Sequence, residues 1–428
     1  MKKVIAITLL LMMVLTGCRV QLAIEPSDTS GQFVDVGEDS EISNGQDVDE
    51  LAFDGKIVII TNWFEVNEEA YLVAKTFSER FGEDRVIHKI WPGSGSEFII
   101  NDTLQEVSDD PEVVALVLNN SWMSNKHVID ALENLRDDIF VVYASVLHQS
   151  CTAQRYDVDP RIKADLIIQT NMQRFGELYV AQAISMGVDT IAYYTFPRLN
   201  AMPSFAMRRE AMRNTAELEG IKFIEIDSVD PIEDLWHTNV PLFITQDIPR
   251  QVESLGENTA FFGSSCGFDG VQNHMSSQVI ATGAVFINTC CPSPYRYYPE
   301  SIGIEIEVPT GENDEDGKEI NRRLELPELL QALDEAVDAA GISGRISSWT
   351  VSDSMMWTTI GFMYAVEWLN GNVPQQHGVI DIEVLRRLAS DYATELGVDA
   401  EVILDALFQE GQLFPHYIQG VISYHVFG

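Results

Sequence analysis

The stretch ADLIIQTNMQRFGELYVAQAI (164–184) changes character in its middle, and that change sets the reading of the whole chain. Its first seven residues, ADLIIQT, are a short apolar run of strand length. The residues over 175–186 then take up helical spacing. The same alternation runs outward in both directions. Upstream lie KIVIITN (56–62), RVIHKIW (85–91), VVALVLN (113–119) and IFVVYA (139–144), separated by helical patterns over 65–81, 97–107 and 126–135. Downstream come TIAYYTF (190–196), a helix over 203–218, and IKFIEID (221–227). PLFITQD (241–247) and TAFFG (259–263) read as strands on either side of a short helix, and a helix over 270–282 leads to AVFIN (284–288). Continuous Val/Ile runs between amphipathic helices mark strands buried on both faces, and hence parallel sheets made of βαβ units.

The pattern predicts an α/β protein with two Rossmann-like lobes, residues 56–171 and 172–310, each around a parallel sheet. After Pro309 the character changes. GENDEDGKE (311–319) is a charged loop, and helices are expected over 327–339, 353–369, 381–396 and 400–409, so residues 311–428 read as a helical extension packing on the lobes. The segment 355–369 is apolar but carries Glu367, which suits a buried core helix.

The first eighteen residues follow another logic. Lys2 and Lys3 precede an apolar run too short to cross a bilayer, which needs about 20 residues. Leu15-Thr16-Gly17-Cys18 then matches the lipobox of bacterial lipoproteins, which implies that Cys18 is lipidated and anchors the chain to a membrane from outside the cytoplasm. Residues 19–55 carry Glu25, Asp28, Asp35 and seven further acids, with Arg19 the single base. Low hydrophobicity with charge of one sign cannot offset chain entropy, so this segment reads as a disordered acidic tether.

A net charge of −39 argues against nucleic acid as a partner, because phosphates require Lys and Arg. Cys151, Cys266, Cys290 and Cys291 form no CxxC pair, so no zinc ribbon or thioredoxin-like motif is expected, and their disulfide state stays open. Gly93-Ser94-Gly95-Ser96 lacks the Lys-Ser/Thr of a phosphate loop. The histidines show no i, i+4 pairing. No cofactor or metal is called for.

In open parallel sheets ligands bind beyond the carboxyl ends of the strands. The residues expected there are Trp63, Phe64, Ser94, Asn119, Trp122, His148, Asn171, Gln246, Asp247 and Ser264. Amides and hydroxyls direct hydrogen bonds to a neutral polar ligand, and flat rings stack on its apolar faces. The order of strands and helices resembles the type I periplasmic binding protein fold of sugar- and nucleoside-binding lipoproteins. KIVIITN with its following aromatic pair is similar to that family's first strand and ligand-stacking loop. ADLIIQTNMQRFGELYVAQAI is similar to its passage into the second lobe. PLFITQD and FFGSSCGFDG (261–270) are similar to its later strands.

The resemblance covers residues 56–298 and implies that Trp63, Phe64, Asn171, Gln246 and Asp247 contact ligand. It further implies a sugar- or nucleoside-like solute, closure about residues 171–174, and delivery to an ABC-type permease, without enzymatic chemistry. As a whole the chain also resembles an uncharacterised bacterial lipoprotein family. A ligand-sensing lipoprotein that signals to a membrane partner is the alternative. A serine hydrolase is a further one, since Gly263-Ser264-Ser265-Cys266-Gly267 fits G-x-S-x-G, with Ser265 as nucleophile and Asp353 and His377 or His416 as partners. Arg174 or Arg198 in the cleft would admit an anionic ligand.

Overall fold

Strand β1 (Lys56–Thr61) shows how the first sheet is made. Ile57 and Ile59 point into one apolar cluster with Val117, Val142 and Ile168, whereas Val58 and Ile60 point into another with Leu116, Val141 and Ile167. Strand side chains alternate, so both faces of this sheet are buried. The computed structural model describes residues 53–64, 66–91, 97–119, 125–144, 162–230, 239–265, 268, 274–289, 291–296, 298–313 and 319–428. Cys18 and the lipobox, most of the tether, Ser94, Trp122, His148, Cys151, Cys266 and Cys290 lie outside the described residues.

The chain continues through α1 (Glu68–Phe81), β2 (Val86–Ile90), α2 (Glu97–Asp109), β3 (Val113–Asn119), α3 (Asn125–Leu132), β4 (Phe140–Ala144) and β5 (Leu166–Thr170). Next come α4 (Met172–Ser185), β6 (Thr190–Thr195), a helical turn at Pro197–Asn200, α5 (Pro203–Glu219), β7 (Lys222–Asp227), α6 (Asn239–Leu255), β8 (Thr259–Gly263), α7 (His274–Ala281) and β9 (Phe286–Ile287). The last part holds a hairpin, β10 (Glu307–Asn313) and β11 (Glu319–Arg323), then α8 (Leu326–Ala339), β12 (Ile346–Trp349), α9 (Asp353–Leu369) and α10 (Ile382–Glu395). A second hairpin, β13 (Val402–Gln409) and β14 (Gln412–Ile422), and then β15 (Tyr424–Val426) close the chain.

The first sheet runs β13-β14-β5-β4-β3-β1-β2, all parallel except β13, which pairs antiparallel with β14. In the second lobe β7-β6-β8 are parallel, a bridge between Ala260 and Val285 links β8 to the β9 segment, and β9-β12-β15 continue beyond it. Both lobes therefore follow the doubly wound order, β2-β1-β3-β4-β5 in one and β7-β6-β8-β9-β12 in the other, with right-handed βαβ connections as the physical basis.

Two segments fold otherwise than their local pattern suggests. PLFITQD (241–247) is not a strand but lies within α6. Its buried residues, Val240, Ile244, Asp247 and Ile248, recur at helical spacing, and Pro241 sits in the first turn, where an N–H has no intrahelical acceptor anyway. Residues 400–409, expected as a helix, are largely the strand β13. Glu410 and Gly411 both have positive φ, 52° and 80°, and connect Gln409 to its partner Gln412 in a two-residue turn. Such a turn matches the twist of a hairpin, and β14 can then dock on β5.

Helices form at the other three C-terminal sites. α9 is buried nearly all round and packs on β3, β4, β5 and α1. Gly361 permits this approach, since a Cβ there would lie 2.8 Å from Val142 Cγ1. No helix among the described residues is long and apolar enough to cross a membrane.

Candidate ligand-binding site

The chain passes between the lobes three times, at Asn171 after β5, at residues 350–352 after β12, and at Ser423 after β14. These passages bond to one another. Asn171 N donates to Gly420 O at 2.8 Å, and Thr350 N donates to Ser423 O at 3.3 Å. Thr170 Oγ1 donates to Asp353 Oδ2 at 2.9 Å. Asn171 also caps α4, its Oδ1 accepting from Arg174 N. The three passages form a waist, and the carboxyl ends of the two sets of strands meet above it.

On the first lobe, Asn62 is buried, Trp63 is half-buried and Phe64 is 39% exposed. Phe64 meets Tyr71 edge to face at 5.5 Å, and Tyr71 meets His88 at 4.9 Å. His88 shares a 2.8 Å hydrogen bond with Thr61 Oγ1, and burial pushes its pKa down to about 4, so the ring is neutral near pH 7. Asn119 is fully buried. Its Nδ2 donates to Thr358 Oγ1 at 2.7 Å and its Oδ1 accepts from Asn67 Nδ2 at 3.2 Å. Its amide thus ties β3 to α1 and α9.

Above this point α1 reaches the other lobe. Glu69, 3% exposed, pairs with Arg296 at 2.7 Å and accepts from Ser293 Oγ at 2.5 Å. Arg296 also donates to Asn67 Oδ1 at 3.1 Å. Next to it Glu68 pairs with Arg323, whose guanidinium lies 3.9 Å from the centre of the Tyr295 ring. Desolvation raises the Glu68 pKa against the pull of Arg323.

On the second lobe, β8 ends at Ser264, which is fully buried. Its carbonyl accepts from Arg208 Nη2 at 2.9 Å. Arg208 is itself fully buried on α5, its guanidinium 4.7 Å from the ring centre of Phe262 and 4.8 Å from that of Phe205. Among the described residues, Arg208 Nε and Nη1 and Ser264 Oγ meet no hydrogen-bond partner. A guanidinium stays charged in any protein environment, and cation–π contacts offset only part of the cost of burying it. This corner can therefore supply donors to an acceptor-bearing guest.

Other expected site residues are placed elsewhere. Gln246 is exposed in the middle of α6 rather than at a strand end. Asp247 points inward and accepts from the buried Tyr194 hydroxyl at 2.8 Å, while pairing with Arg250. Arg198 forms a two-point bond to Asp230, at 2.7 and 2.8 Å, and Arg174 pairs with Asp405 at 2.9 Å, so both cations are already neutralised. Ser265 is buried after β8, and its carbonyl accepts from Phe268 N. His377 is bonded to Asp165 at 2.5 Å, and Asp353 to Thr170.

Arg208, Glu69 and Arg296 escaped sequence reading. For Arg208 a signal exists: Phe205, Arg208, Met212 and Ala216 share one buried helical stripe, so the phase of α5 turns this arginine inward while Arg209 faces the other way.

With two doubly wound lobes and three passages between them, the fold is that of the type I periplasmic binding proteins. A crystal structure from Clostridium difficile 630, named provisionally as a transcriptional regulator, shares it with a TM-score of 0.68 and 16% identity, over 88% of this chain and 99% of that one. A periplasmic ribose ABC transporter protein from Conexibacter woesei DSM 14684 aligns with a TM-score of 0.46 and 14% identity, over 81% and 98% of the two chains. In sequence, an uncharacterized protein of Treponema pallidum (strain Nichols) is 20% identical over 181 residues, 42% of this chain and 79% of that one. Residues 55–347 match the family model described as a protein of unknown function, DUF3798, and the chain belongs to that family.

Proposed function

We propose that this is an extracytoplasmic solute-binding protein, held to the membrane through Cys18 and the acidic tether. It captures a small polar ligand between the carboxyl edges of its two sheets and hands it to an ABC-type permease. The observation that carries this reading is the corner made by Arg208 and Ser264. Two guanidinium donors and a hydroxyl are buried there without partners among the described residues, at the end of a parallel strand, where open α/β sheets bind ligands. Phe64 and Trp63 supply flat apolar surface on the opposite lobe, and Asn171 stands at the passage about which the lobes would close. The ligand carries hydrogen-bond acceptors toward the second lobe, as a sugar, nucleoside or carboxylate does. Ser94, Trp122 and His148 are further proposed ligand contacts. Ligand sensing is the second reading, favoured by the regulatory name of the Clostridium difficile protein that shares the fold.

The test is a thermal-shift screen of residues 50–428 against sugars, nucleosides, amino acids and organic acids. A ligand at 1,000 times its Kd stabilises the folded state by about 4 kcal/mol, a shift of several degrees. The expected result is one responsive chemical class whose shift disappears in Arg208→Met. A class that binds Arg208→Met as tightly as the wild type would remove this corner from the site.

A further inference from the structure

A cavity of about 470 Å³ lies beside Asn171, walled by β5 and the β13–β14 hairpin on one side and by the amino-terminal turns of α4 and α5 on the other. Thr170 and Asn171 at the end of β5 line it, whereas the strand-end residues of β1, β3, β6 and β8 do not. Gln169 and Gln419 are direct partners across the β5–β14 ladder, so their side chains emerge together on one face of the sheet. Ile168 and Ile418 point the opposite way, into the core covered by α9. Both glutamines are half-buried, and neither side-chain amide bonds to another of the described residues. The ring of Tyr417, 2% exposed, closes one side of the cavity and that of Phe408, 68% exposed, stands at its rim.

Charge narrows the occupant. The cation in the wall, Arg174, is neutralised by Asp405 at 2.9 Å. The remaining carboxylate, Glu177, accepts from Gln173 Nε2 at 2.9 Å and repels anions. Each carboxamide offers two donors and two acceptor lone pairs, which a hydroxyl, being donor and acceptor at once, matches without any charge. Small-molecule sites occupy about 300–1,000 Å³ and combine apolar walls with a few aimed polar groups. We propose that this cavity is a small-molecule site, separate from the Arg208–Ser264 corner, which takes a neutral polyhydroxylated ligand against the paired amides of Gln169 and Gln419. Its walls come from both lobes, so occupancy would favour the lobe setting seen here.

Saturation-transfer NMR with N-acetylglucosamine and trehalose as millimolar probes tests it on the 50–428 chain. The expected result is a wild-type signal that falls at least tenfold in apparent affinity in Gln169→Leu and in Gln419→Leu, and persists in Arg208→Met. Ser204→Trp fills the cavity from α5 without touching either amide and should abolish the signal in a protein of unchanged melting temperature. Absence of signal from the wild type with both probes overturns the proposal. So does a signal that survives the glutamine variants, and its loss in Arg208→Met alone would assign the sugar to the cleft.

Discussion

The two carboxyl edges differ in where their polar groups find partners. On the first lobe Asn119, Asn67, Ser354 and Thr358 bond to one another, and Glu69 closes the set through Arg296 and Ser293. On the second lobe Arg208 and Ser264 are just as deeply buried, yet keep donors and a hydroxyl without partners among the described residues. Buried polar groups that satisfy each other rigidify a structure, whereas those left over weaken it unless a ligand completes them. The first edge is thus a framework, and the second carries the unused hydrogen-bonding capacity expected of a binding surface.

That contrast can be broken by substitution. The largest effect is expected at Glu69, because removing one member of a buried ion pair strands the other. Glu69→Leu should cost about 3–5 kcal/mol in urea unfolding, and a loss below about 1 kcal/mol would mean that the lobes do not depend on this contact. Asn119→Leu comes next. It removes the donor to Thr358 Oγ1 and one of the acceptors of Asn67 Nδ2 in a buried setting, and should cost about 2–3 kcal/mol, measured in the same way.

Acid should act on the first edge by a similar amount. The His88 ring has a folded pKa of about 4 because burial disfavours its charge, against an ordinary value of about 6.5. Between these values the unfolded chain binds more protons than the folded one. The contribution is therefore complete above pH 6.5 and is lost as pH falls toward 4, by about 2–3 kcal/mol. His88→Gln should flatten this slope, and an unchanged slope would locate the acid sensitivity elsewhere.

The smallest effect on folding should come from the most buried cation. Arg208→Met keeps much of the volume and removes an uncompensated charge, so stability should stay within about 1 kcal/mol of the wild type or rise. A loss of several kcal/mol would show that Arg208 belongs to the framework after all, and the distinction between the edges would fall.

How much of this is legible in the chain depends on the range of the forces involved. KIVIITN, VVALVLN and ADLIIQT announce buried parallel strands because a sheet covered on both faces needs continuous apolar residues. PLFITQD does not announce its helix. Seven residues are too few to separate periods of 2 and 3.6, and only the burial of Val240, Ile244 and Ile248 on one side resolves them. The misreading carried Gln246 and Asp247 to a strand end that does not exist. In QEGQ (409–412), the turn at Glu410 and Gly411 is weaker local evidence than an Asn-Gly pair, and β13 becomes a strand because β14 has a place beside β5.

The sequence by itself determined the class of fold, the number of lobes and the positions of most strands and helices, because hydrophobic periodicity is a local property of the chain. Only the tertiary structure decided which polar residues are already satisfied. Asn119, Arg198 and Arg174 look as available in the sequence as Arg208 does, and partners up to 239 residues away separate them. Hydrogen bonds and ion pairs act over a few ångströms in space, so the capacity to bind a ligand is a remainder that appears only once every such partner has been assigned.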